Sequence, residues 1–410
     1  MNSRHDLIRI GFIPLVDASP LIVAYEQGFA AAEGIELQLS RETSWATIRD
    51  RLAVAHLDAA HALAPLPLAA NLGLGPLACD LVVPIALGTG ANTVTVSRPL
   101  WGDLARHGSL ADLEPAGAIA ALGRLVRARR ATGDRPLTFG IVHQHSAHHY
   151  QLAYWLAAGG VVPGRDVDLV VVPPSLMPAA LASGRVDAFC AGEPWGSVAV
   201  AEGVGAILTT NTNIWRGSPE KVLAVRTAWA DLAPASLAAL VRAVHAACQW
   251  CDDSANRGEL TALLARPEYL ARPAGDILPS LSRTLSAPDG SLCHVAGLLR
   301  FAGHAATFPW TSHAMWFLSQ MVRWGEVGLD PDVIDTARRT FRPDLYRLAL
   351  SDIGVAMPAA NAKVEGALVA ERGVGSSSGT LTLGPDGFFD GQVFDPDDLI
   401  AYVARQRSGG

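Results

Sequence analysis

The sequence predicts an α/β protein of two similar lobes, with a ligand cleft between the lobes and a largely helical C-terminal part. Three observations predict this fold class: the length of the chain, a β-α-β-α pattern that occurs twice, and a change to helical patterns after about residue 226. At 410 residues the chain exceeds what one ordinary hydrophobic core supports. We place the first lobe at residues 1–97 and 226–410, and the second lobe at residues 98–225.

The first β-α-β-α unit begins with a strand pattern at residues 8–15 and continues through the helix pattern PLIVAYEQGFAAAEG to the strand pattern IELQLS. The second unit begins at residues 137–143 and continues through AHHYQLAYWLAAGG to VDLVVV. Both helix patterns end on glycine, a common C-terminal stop. Residues 52–65 and 181–194 then each predict a helix end, a turn and a buried strand.

The spacing of the two units is the same. Gly11 and Asp58 are 47 positions apart, and so are Gly140 and Asp187. The constant offset between the units is 129 positions, which aligns Ser19 with His148 and Trp45 with Pro174. Because Asp58 and Asp187 are related by the repeat, we interpret them as turn or helix-terminal residues rather than as an acid/base pair.

Such a repeat predicts where a ligand binds. In open α/β sheets, ligands bind beyond the carboxyl ends of the strands, where loops meet helix N-termini. Two lobes that face each other therefore form a cleft for a small ligand. After the repeat, the C-terminal part is expected to pack around the first lobe, and the Gly/Ser-rich residues 371–380 are predicted to form an exposed loop.

Composition restricts the class of partner. Half of the residues are hydrophobic, and the net charge is −7, whereas nucleic-acid-binding proteins usually carry a basic stripe. The first residues contain no signal-peptide pattern, and no apolar run predicts a membrane span. The five scattered cysteines fit a reducing compartment. We therefore expect a cytoplasmic protein that contacts neither nucleic acid nor membrane directly.

Two groups of residues have the composition of metal sites. Cys248 and Cys251 form a CxxC inside a helical pattern, but no second cysteine pair follows at zinc-ribbon spacing, which favours a buried helical role over redox or metal chemistry. The four histidines His143, His145, His148 and His149 fall within seven positions. No carboxylate or cysteine lies near them in sequence to complete a metal shell, and we predict neither a metal nor a cofactor.

One of these histidines is expected at a helix N-terminus. Ser146 is the predicted N-cap, which places His148 in the first helical turn. Free backbone N–H groups and the helix dipole attract negative charge there. The predicted cleft contains no catalytic constellation such as Ser/His/Asp or paired carboxylates. We therefore predict that the cleft is a binding site and that the protein is not an enzyme.

Several segments resemble one family closely. They are IGFIPLVDASPLIVAYEQGF, ETSWATIRDRL, LDAAHALAPLPLAANLGLG, HHYQLAYWLAAGG, GEPWGSVAV, SPEKVLAV and FPWTSHAMWFLSQMVRWG, in this order between about residues 8 and 325. This ordered set resembles the nitrate- and bicarbonate-binding family of ABC-type substrate-binding proteins. The resemblance implies the type II periplasmic-binding-protein fold, with the anion held between the two lobes.

The resemblance also implies a set of ligand-binding residues for nitrate or nitrite. By matching the family's motifs, these are Trp45, Asn92, His148, Lys221, Pro174 and Gly192. The Trp45 indole and the Asn92 amide are hydrogen-bond donors suited to an oxyanion. Pro174 and Gly192 are expected to contribute backbone and shape. The family often has Asn where this chain has His149. The capping interaction of the motif that contains His148 is therefore not inferred from the resemblance.

Lys221 bears on which anion is bound. Bicarbonate-type members carry an acidic residue at this position, which can accept the proton of bicarbonate. Lysine has three donors and no acceptor, and therefore favours nitrate or nitrite. We expect Lys221 to supply the single full positive charge on the anion.

Family members act in two settings. Some are exported proteins that feed nitrate importers, whereas cytoplasmic sensors of the NasS type sequester an RNA-binding antiterminator of the NasT type until nitrate or nitrite binds. Because the first strand begins so near Met1, the sequence favours the sensor. An exported binding protein that serves an ABC importer is the alternative. A thiamine-pyrimidine-synthase-like enzyme is a weaker one, because the cysteine-rich run of those enzymes is missing here.

Overall fold

The computed structural model describes residues 6–287 and 289–408. Its strands are β1 (Asp6–Phe12), β2 (Ile35–Arg41), β3 (Ala59–Leu63), β4 (Leu81–Ala86), β5 (Thr89–Gly90), β6 (Asn92–Ser97), β7 (Leu137–Ile141), β8 (Val167–Val171), β9 (Ala188–Gly192), β10 (Gly205–Thr210), β11 (Lys221–Arg226), β12 (Thr284–Ser286), β13 (Leu292–His294), β14 (Leu299–Arg300), β15 (Arg372–Ser376) and β16 (Gly379–Leu383).

Helices connect and cover these strands. They are α1 (Ser19–Glu26), α2 (Phe29–Ala32), α3 (Trp45–Ala53), α4 (Pro65–Asn71), α5 (Arg98–Ala105), α6 (Pro115–Thr132), α7 (Ala147–Ala158), α8 (Met177–Ala182), α9 (Trp195–Ala201), α10 (Asn211–Ile214), α11 (Thr227–Leu232), α12 (Pro234–Asp252), α13 (Arg257–Leu264), α14 (Ala274–Leu281), α15 (Thr311–Arg323), α16 (Pro331–Thr340), α17 (Pro343–Leu350) and α18 (Leu399–Ser408).

Two five-stranded sheets of the same design form the two lobes, which confirms the predicted fold class. Their strand orders are β2-β1-β3-β11-β4 and β8-β7-β9-β6-β10. In each sheet the first three strands are parallel and the fourth is antiparallel to the third. Each fourth strand is supplied by the segment in which the chain crosses between lobes.

The crossing strands shift the predicted lobe boundaries. Residues 92–97 form β6, which pairs with β9 of the second sheet although they were assigned to the first lobe. Residues 221–226 form β11, which pairs with β3 of the first sheet although all but the last were assigned to the second. The sequence repeat covers only the three parallel strands of each sheet. It therefore does not predict which sheet β6 and β11, the strands next to the crossings between lobes, belong to.

The repeat itself is present in the strand register. Ile10 pairs with Ala59 in the first sheet, and Phe139 pairs with Ala188 in the second, at the predicted offset. Asp58 accepts the backbone N–H of Arg9 at 3.0 Å. Asp187 accepts the equivalent N–H of Thr138 at 2.8 Å. Both aspartates therefore fix the turn that leads into the third strand.

The C-terminal part is largely helical, as predicted. Within α12, Cys248 and Cys251 are buried, and burial raises the pKa of both thiols. The predicted exposed loop at 371–380 is instead part of a hairpin formed by β15 and β16, whose glycines and serines hide the strand alternation. No described helix is long and apolar enough to cross a membrane.

Contacts of the C-terminal part are not limited to the first lobe. The Tyr150 hydroxyl donates to Glu326 at 2.7 Å, and the Tyr154 hydroxyl donates to Asp390 at 2.7 Å. Both tyrosines lie on α7 of the second lobe. The C-terminal part therefore also packs against the second lobe. The contact is at α7, the helix that carries the predicted anion-binding residue His148.

Candidate functional site

The carboxyl ends of β1 and β3 and the start of β11 meet at one edge of the first sheet. Asp17 lies in a short 3₁₀ turn between β1 and α1, and His61 lies in β3. Lys221 is the first residue of β11 and follows Glu220 directly. This is the edge at which open α/β sheets bind ligands, and it collects four polar residues that are each at most 4% exposed.

Lys221 occupies the centre of this group. Its Nζ donates to Glu220 Oε1 at 2.8 Å and lies 2.9 Å from Asp17 Oδ2. The other oxygen of Asp17 lies 3.1 Å from His61 Nε2. A buried charge is tolerated only when it is paired, and here one ammonium group lies between two carboxylates.

The second lobe contributes His148. Ser146 caps α7 as predicted, because its Oγ accepts the backbone N–H of His149 at 3.2 Å. His148 is thereby held in the first turn of the helix, with its Nδ1 2.9 Å from Glu220 Oε1. We call the five residues Asp17, His61, His148, Glu220 and Lys221 the Lys221 cluster.

Trp45 packs against this cluster from α3. Ser44 caps that helix by accepting the Thr47 N–H at 3.1 Å, so that Trp45 starts the first turn. The indole ring centroid lies 5.6 Å from Lys221 Nζ and 5.2 Å from the ring of His61. This places an aromatic face beside the ammonium group, a favourable cation–π arrangement.

Three ring nitrogens at the cluster are buried without a hydrogen-bond partner among residues 6–287 and 289–408. One of them, His61 Nε2, lies in ion-pair range of Asp17. The other two are Trp45 Nε1, from the first lobe, and His148 Nε2, from the second. We call them the two site donors. A buried polar atom left unpaired is costly and calls for an explanation, which a bound ligand supplies.

The charge states of the cluster follow from its contacts. Burial would lower the pKa of Lys221, but Asp17 and Glu220 raise it overall, so the ammonium form persists. Burial opposes ionisation of Asp17, but Lys221 and His61 lower its pKa to about 2. Against the same burial, Lys221 and His148 lower the pKa of Glu220. Burial lowers the pKa of His61, which is therefore neutral near pH 7.

These contacts change the expected role of Lys221. The sequence predicts it as a full positive charge open to the anion, whereas two carboxylates already neutralise it. Sequence reasoning missed Asp17, His61 and Glu220. A signal was available for the acidic residues, since a lone Asp17 within the apolar run FIPLVDASPLIVA is rarely buried unless it is paired.

The remaining predicted site residues lie in the second lobe. Asn92 and Gly192 face each other across the β6–β9 ladder, and a Cβ on Gly192 would lie 3.4 Å from Asn92 Oδ1 and 3.3 Å from Leu15 of the first lobe. Gly192 therefore lets the lobes approach closely. The Asn92 amide donates to Gly90 O at 3.5 Å. Pro174 is buried at the turn before α8, equivalent to Trp45 by the repeat.

The structure thus brings Trp45, His148 and Lys221 together, and pairs Asn92 with Gly192. No contact recorded for the described residues joins Asn92 or Pro174 to the Lys221 cluster, so their ligand roles stay predictions. The other histidines make local contacts: His143 Nδ1 accepts the His145 N–H at 3.0 Å, and the His149 ring bonds Gln144 O. Within residues 6–287 and 289–408, no three or more His, Cys, Asp or Glu side chains are placed so that they could hold one metal ion.

Two lobes that close on a buried polar cluster define a substrate-binding protein of the type II periplasmic-binding-protein fold. The profile of the NMT1-like family matches residues 2–265. The chain belongs to this family, and the predicted resemblance to nitrate- and bicarbonate-binding proteins is confirmed.

Individual relatives cover nearly the whole chain. The nitrate import ATP-binding protein NrtC of Synechocystis sp. PCC 6803 is 34% identical over 97% of this chain. The nitrate/nitrite binding protein NrtA of Synechococcus elongatus is 32% identical over 97% of this chain and 85% of its own length. The chain spans only 54% of the length of NrtC, so it corresponds to about half of that curated relative.

A solved structure extends the similarity to three dimensions. The crystal structure of the periplasmic nitrate-binding protein NrtA from Synechocystis PCC 6803 matches with a TM-score of 0.84 and 27% identity. The match covers 98% of this chain and 98% of that one, so the C-terminal part is included in the shared fold.

Proposed function

We propose that this protein binds nitrate between its two lobes as the substrate-binding component of a nitrate uptake system. The observation that carries the proposal is the pair of site donors, one from each lobe, in residues that pack with Lys221 in one buried cluster. Nitrate is planar, with three equivalent oxygens that accept hydrogen bonds. The Trp45 indole, the His148 imidazole and the remaining proton of Lys221 supply three donors for them.

Closure of the cleft follows from this arrangement. Trp45 belongs to the first lobe and His148 to the second, so an anion held by both stabilises the closed form. Val16 N donates to Glu193 O at 3.0 Å, which adds a backbone contact between the lobes. The names of the relatives support uptake: NrtA is described as nitrate/nitrite binding and NrtC as a nitrate import protein.

Calorimetric titration with nitrate, nitrite and bicarbonate in parallel tests the proposal. Nitrate is expected to bind with one site per chain, and bicarbonate more weakly because Lys221 replaces an acidic residue. A matched pair of variants locates the site: Trp45→Phe removes a site donor, whereas Trp215→Phe removes an equally buried indole that stacks on Phe388. Absence of nitrate binding, or equal loss in both variants, would refute the proposal.

The sensor interpretation predicts a partner. In that case an antiterminator of the NasT type binds the open form and nitrate releases it, so the partner must weaken nitrate binding by the same factor. Size-exclusion chromatography of the two purified proteins, with and without nitrate, distinguishes the interpretations. A complex that nitrate dissolves favours the cytoplasmic sensor, whereas no complex, or one that nitrate leaves intact, favours the uptake component.

A further inference from the structure

The contact between His148 and Glu220 restricts what His148 can do for an anion. His148 Nδ1 lies 2.9 Å from Glu220 Oε1, and both side chains are at most 2% exposed. The same Glu220 oxygen also accepts from Lys221 at 2.8 Å. One proton must therefore lie between the imidazole and the carboxylate, because an unprotonated Nδ1 and an unprotonated carboxylate oxygen would repel each other at this distance.

The proton count of this pair follows. A neutral imidazole has one N–H, and the contact with Glu220 places that proton on Nδ1, leaving Nε2 as an acceptor. Nitrate offers acceptors only, so a bare Nε2 cannot bind it. For Nε2 to donate, the pair must hold two protons, either as an imidazolium beside a carboxylate or as a neutral imidazole beside a protonated Glu220.

We propose that nitrate binds together with one proton, which the His148–Glu220 pair takes up on binding. The proposal rests on nitrate being the ligand of the cleft. It makes Glu220 a specificity-determining residue, because an anion that brings its own proton could donate to Glu220 instead and would not need this uptake. Charge balance agrees: the added proton offsets the anion in a cluster that already holds two carboxylates and one ammonium group.

Other titratable groups lie around this pair, in the turn after β1, in β3, β9 and β11, and in the region around α7. They are Asp17, His61, His143, His149, Cys190 and Lys221. Burial lowers the pKa of the three histidines among them and raises that of the Cys190 thiol. These groups therefore keep one protonation state near pH 7 to 8. His145 is a further imidazole near α7, 3.4 Å from Glu326 Oε2, and the Glu220→Gln and His148→Gln variants below distinguish it from the His148–Glu220 pair as the acceptor of the proton.

Calorimetry in buffers of different ionisation enthalpy measures the uptake directly. Nitrate is titrated into the 410-residue chain at about pH 8, above the ordinary imidazole range near 6.5, in Tris and in HEPES at equal ionic strength. The difference in observed enthalpy gives the number of protons transferred. About one proton is expected per nitrate, with affinity falling up to about tenfold per pH unit as the pH rises.

Two variants assign the proton to the pair. In Glu220→Gln the amide can donate to His148 Nδ1, so Nε2 carries its hydrogen without an added proton. Uptake should fall to zero, and nitrate should bind at least as tightly at about pH 8 as in the wild type. In His148→Gln the amide also donates without protonation, so binding weakens but becomes independent of pH. His245→Gln, which changes a buried histidine of α12, should keep the full uptake.

The outcomes separate this inference from the proposed function. Nitrate binding without proton uptake overturns the inference and leaves the function intact, whereas no nitrate binding to the wild type overturns the function. Uptake that persists in both Glu220→Gln and His148→Gln places the proton elsewhere and also overturns the inference. Thermal unfolding of each variant verifies that the fold is retained.

Discussion

The chain contains two lysines, and their surroundings are similar. Lys221 lies between Asp17 and Glu220, with the Trp45 ring 5.6 Å away. Lys363 lies between Glu365 and Asp386, with the Trp310 ring 5.8 Å away. A buried histidine accompanies each: His148 in the first case and His313 in the second. We call His313, Lys363, Glu365 and Asp386 the Lys363 cluster.

The two clusters differ in how their carboxylates are satisfied. In the Lys363 cluster, Ser312 Oγ donates to Glu365 at 2.6 Å and the Leu368 N–H donates to Asp386 at 2.8 Å. These bonds connect α15 to residues 363–368 and 386 in the C-terminal part. At the Lys221 cluster, by contrast, Glu220 Oε2, both Asp17 oxygens and the two site donors have no hydrogen-bond partner in the described part of the chain, although Asp17 is ion-paired. Among the described atoms of the Lys363 cluster, His313 Nδ1 also lacks a partner, but no carboxylate oxygen does.

This difference teaches what separates a binding site from a structural ion cluster. A buried lysine between two carboxylates occurs in both places, so it does not by itself indicate an anion site. Unused hydrogen-bond capacity contributed by two lobes is found at the Lys221 cluster, whereas the Lys363 cluster uses its carboxylates to hold segments of one region together. The Lys363 cluster also borders a cavity of about 520 Å³, which makes its lysine a stringent control.

The largest expected effect comes from removing each lysine. Lys221→Met and Lys363→Met each leave two buried carboxylates without their cation, which should lower the free energy of unfolding by about 3–5 kcal/mol. Both variants should therefore be similarly destabilised, as measured by urea unfolding. Nitrate binding, measured by calorimetry, should vanish in Lys221→Met and persist in Lys363→Met. Loss of binding in both would mean that the comparison reflects stability alone.

A second prediction concerns acid stability at the Lys363 cluster. Burial, and then the charge of Lys363, hold the pKa of His313 well below its ordinary value, against an opposing effect of Asp386. Below about pH 6.5 the unfolded chain therefore takes up a proton that the folded protein does not. Stability is full above that pH and should fall on acidification by up to ~1.4 kcal/mol per pH unit, or about 2 kcal/mol by pH 5.

His313→Gln isolates this effect, because the other titrating groups are common to both proteins. The free energy of unfolding of the variant, measured by urea titration between about pH 5 and 7, should depend less steeply on pH than that of the wild type. Parallel curves would show that His313 does not keep its neutral form in the folded protein.

The Lys221 cluster could be predicted only in part. The repeat predicted both lobes, the roles of Asp58 and Asp187, and the cap that places His148 in the first turn of α7, because these depend on local sequence. Family motifs indicated Trp45, His148 and Lys221. The two carboxylates could not be placed, since Asp17 and Glu220 are about 200 positions apart in sequence and meet only through the pairing of β11 with β3.

The same limit explains the errors at the lobe boundaries and at residues 371–380. Strands β6 and β11 join their sheets by long-range pairing, and their local sequence patterns do not predict which of the two sheets each strand joins. The hairpin of β15 and β16 is exposed and rich in glycine and serine, a composition that lacks the hydrophobic alternation by which strands are predicted. Local patterns therefore predicted elements well and their partners poorly.

Histidine truncation gives the next effect in size. His148→Ala removes a site donor and should weaken nitrate binding at least tenfold, which corresponds to about 1.4 kcal/mol. His313→Ala removes another buried imidazole, from the Lys363 cluster, and should leave nitrate affinity unchanged. Calorimetric titration of both variants at one pH tests this contrast. Equal losses would indicate that either substitution merely loosens the packing around α7 and α15.

The smallest effect is expected from replacing the two indoles that lie beside the lysines. Trp45→Phe keeps an aromatic face near Lys221 but removes Nε1, a donor without a protein partner in the ranges that the structure describes. Because the folded protein loses no hydrogen bond there, its stability should change little, whereas nitrate loses one bond worth about 0.5–1.5 kcal/mol. Trp310→Phe makes the same change beside Lys363 and should alter nitrate affinity less than twofold. If Trp45→Phe binds nitrate as tightly as the wild type, the indole N–H does not contact the anion, and the Trp45 ring serves only to pack against Lys221 as the Trp310 ring does against Lys363.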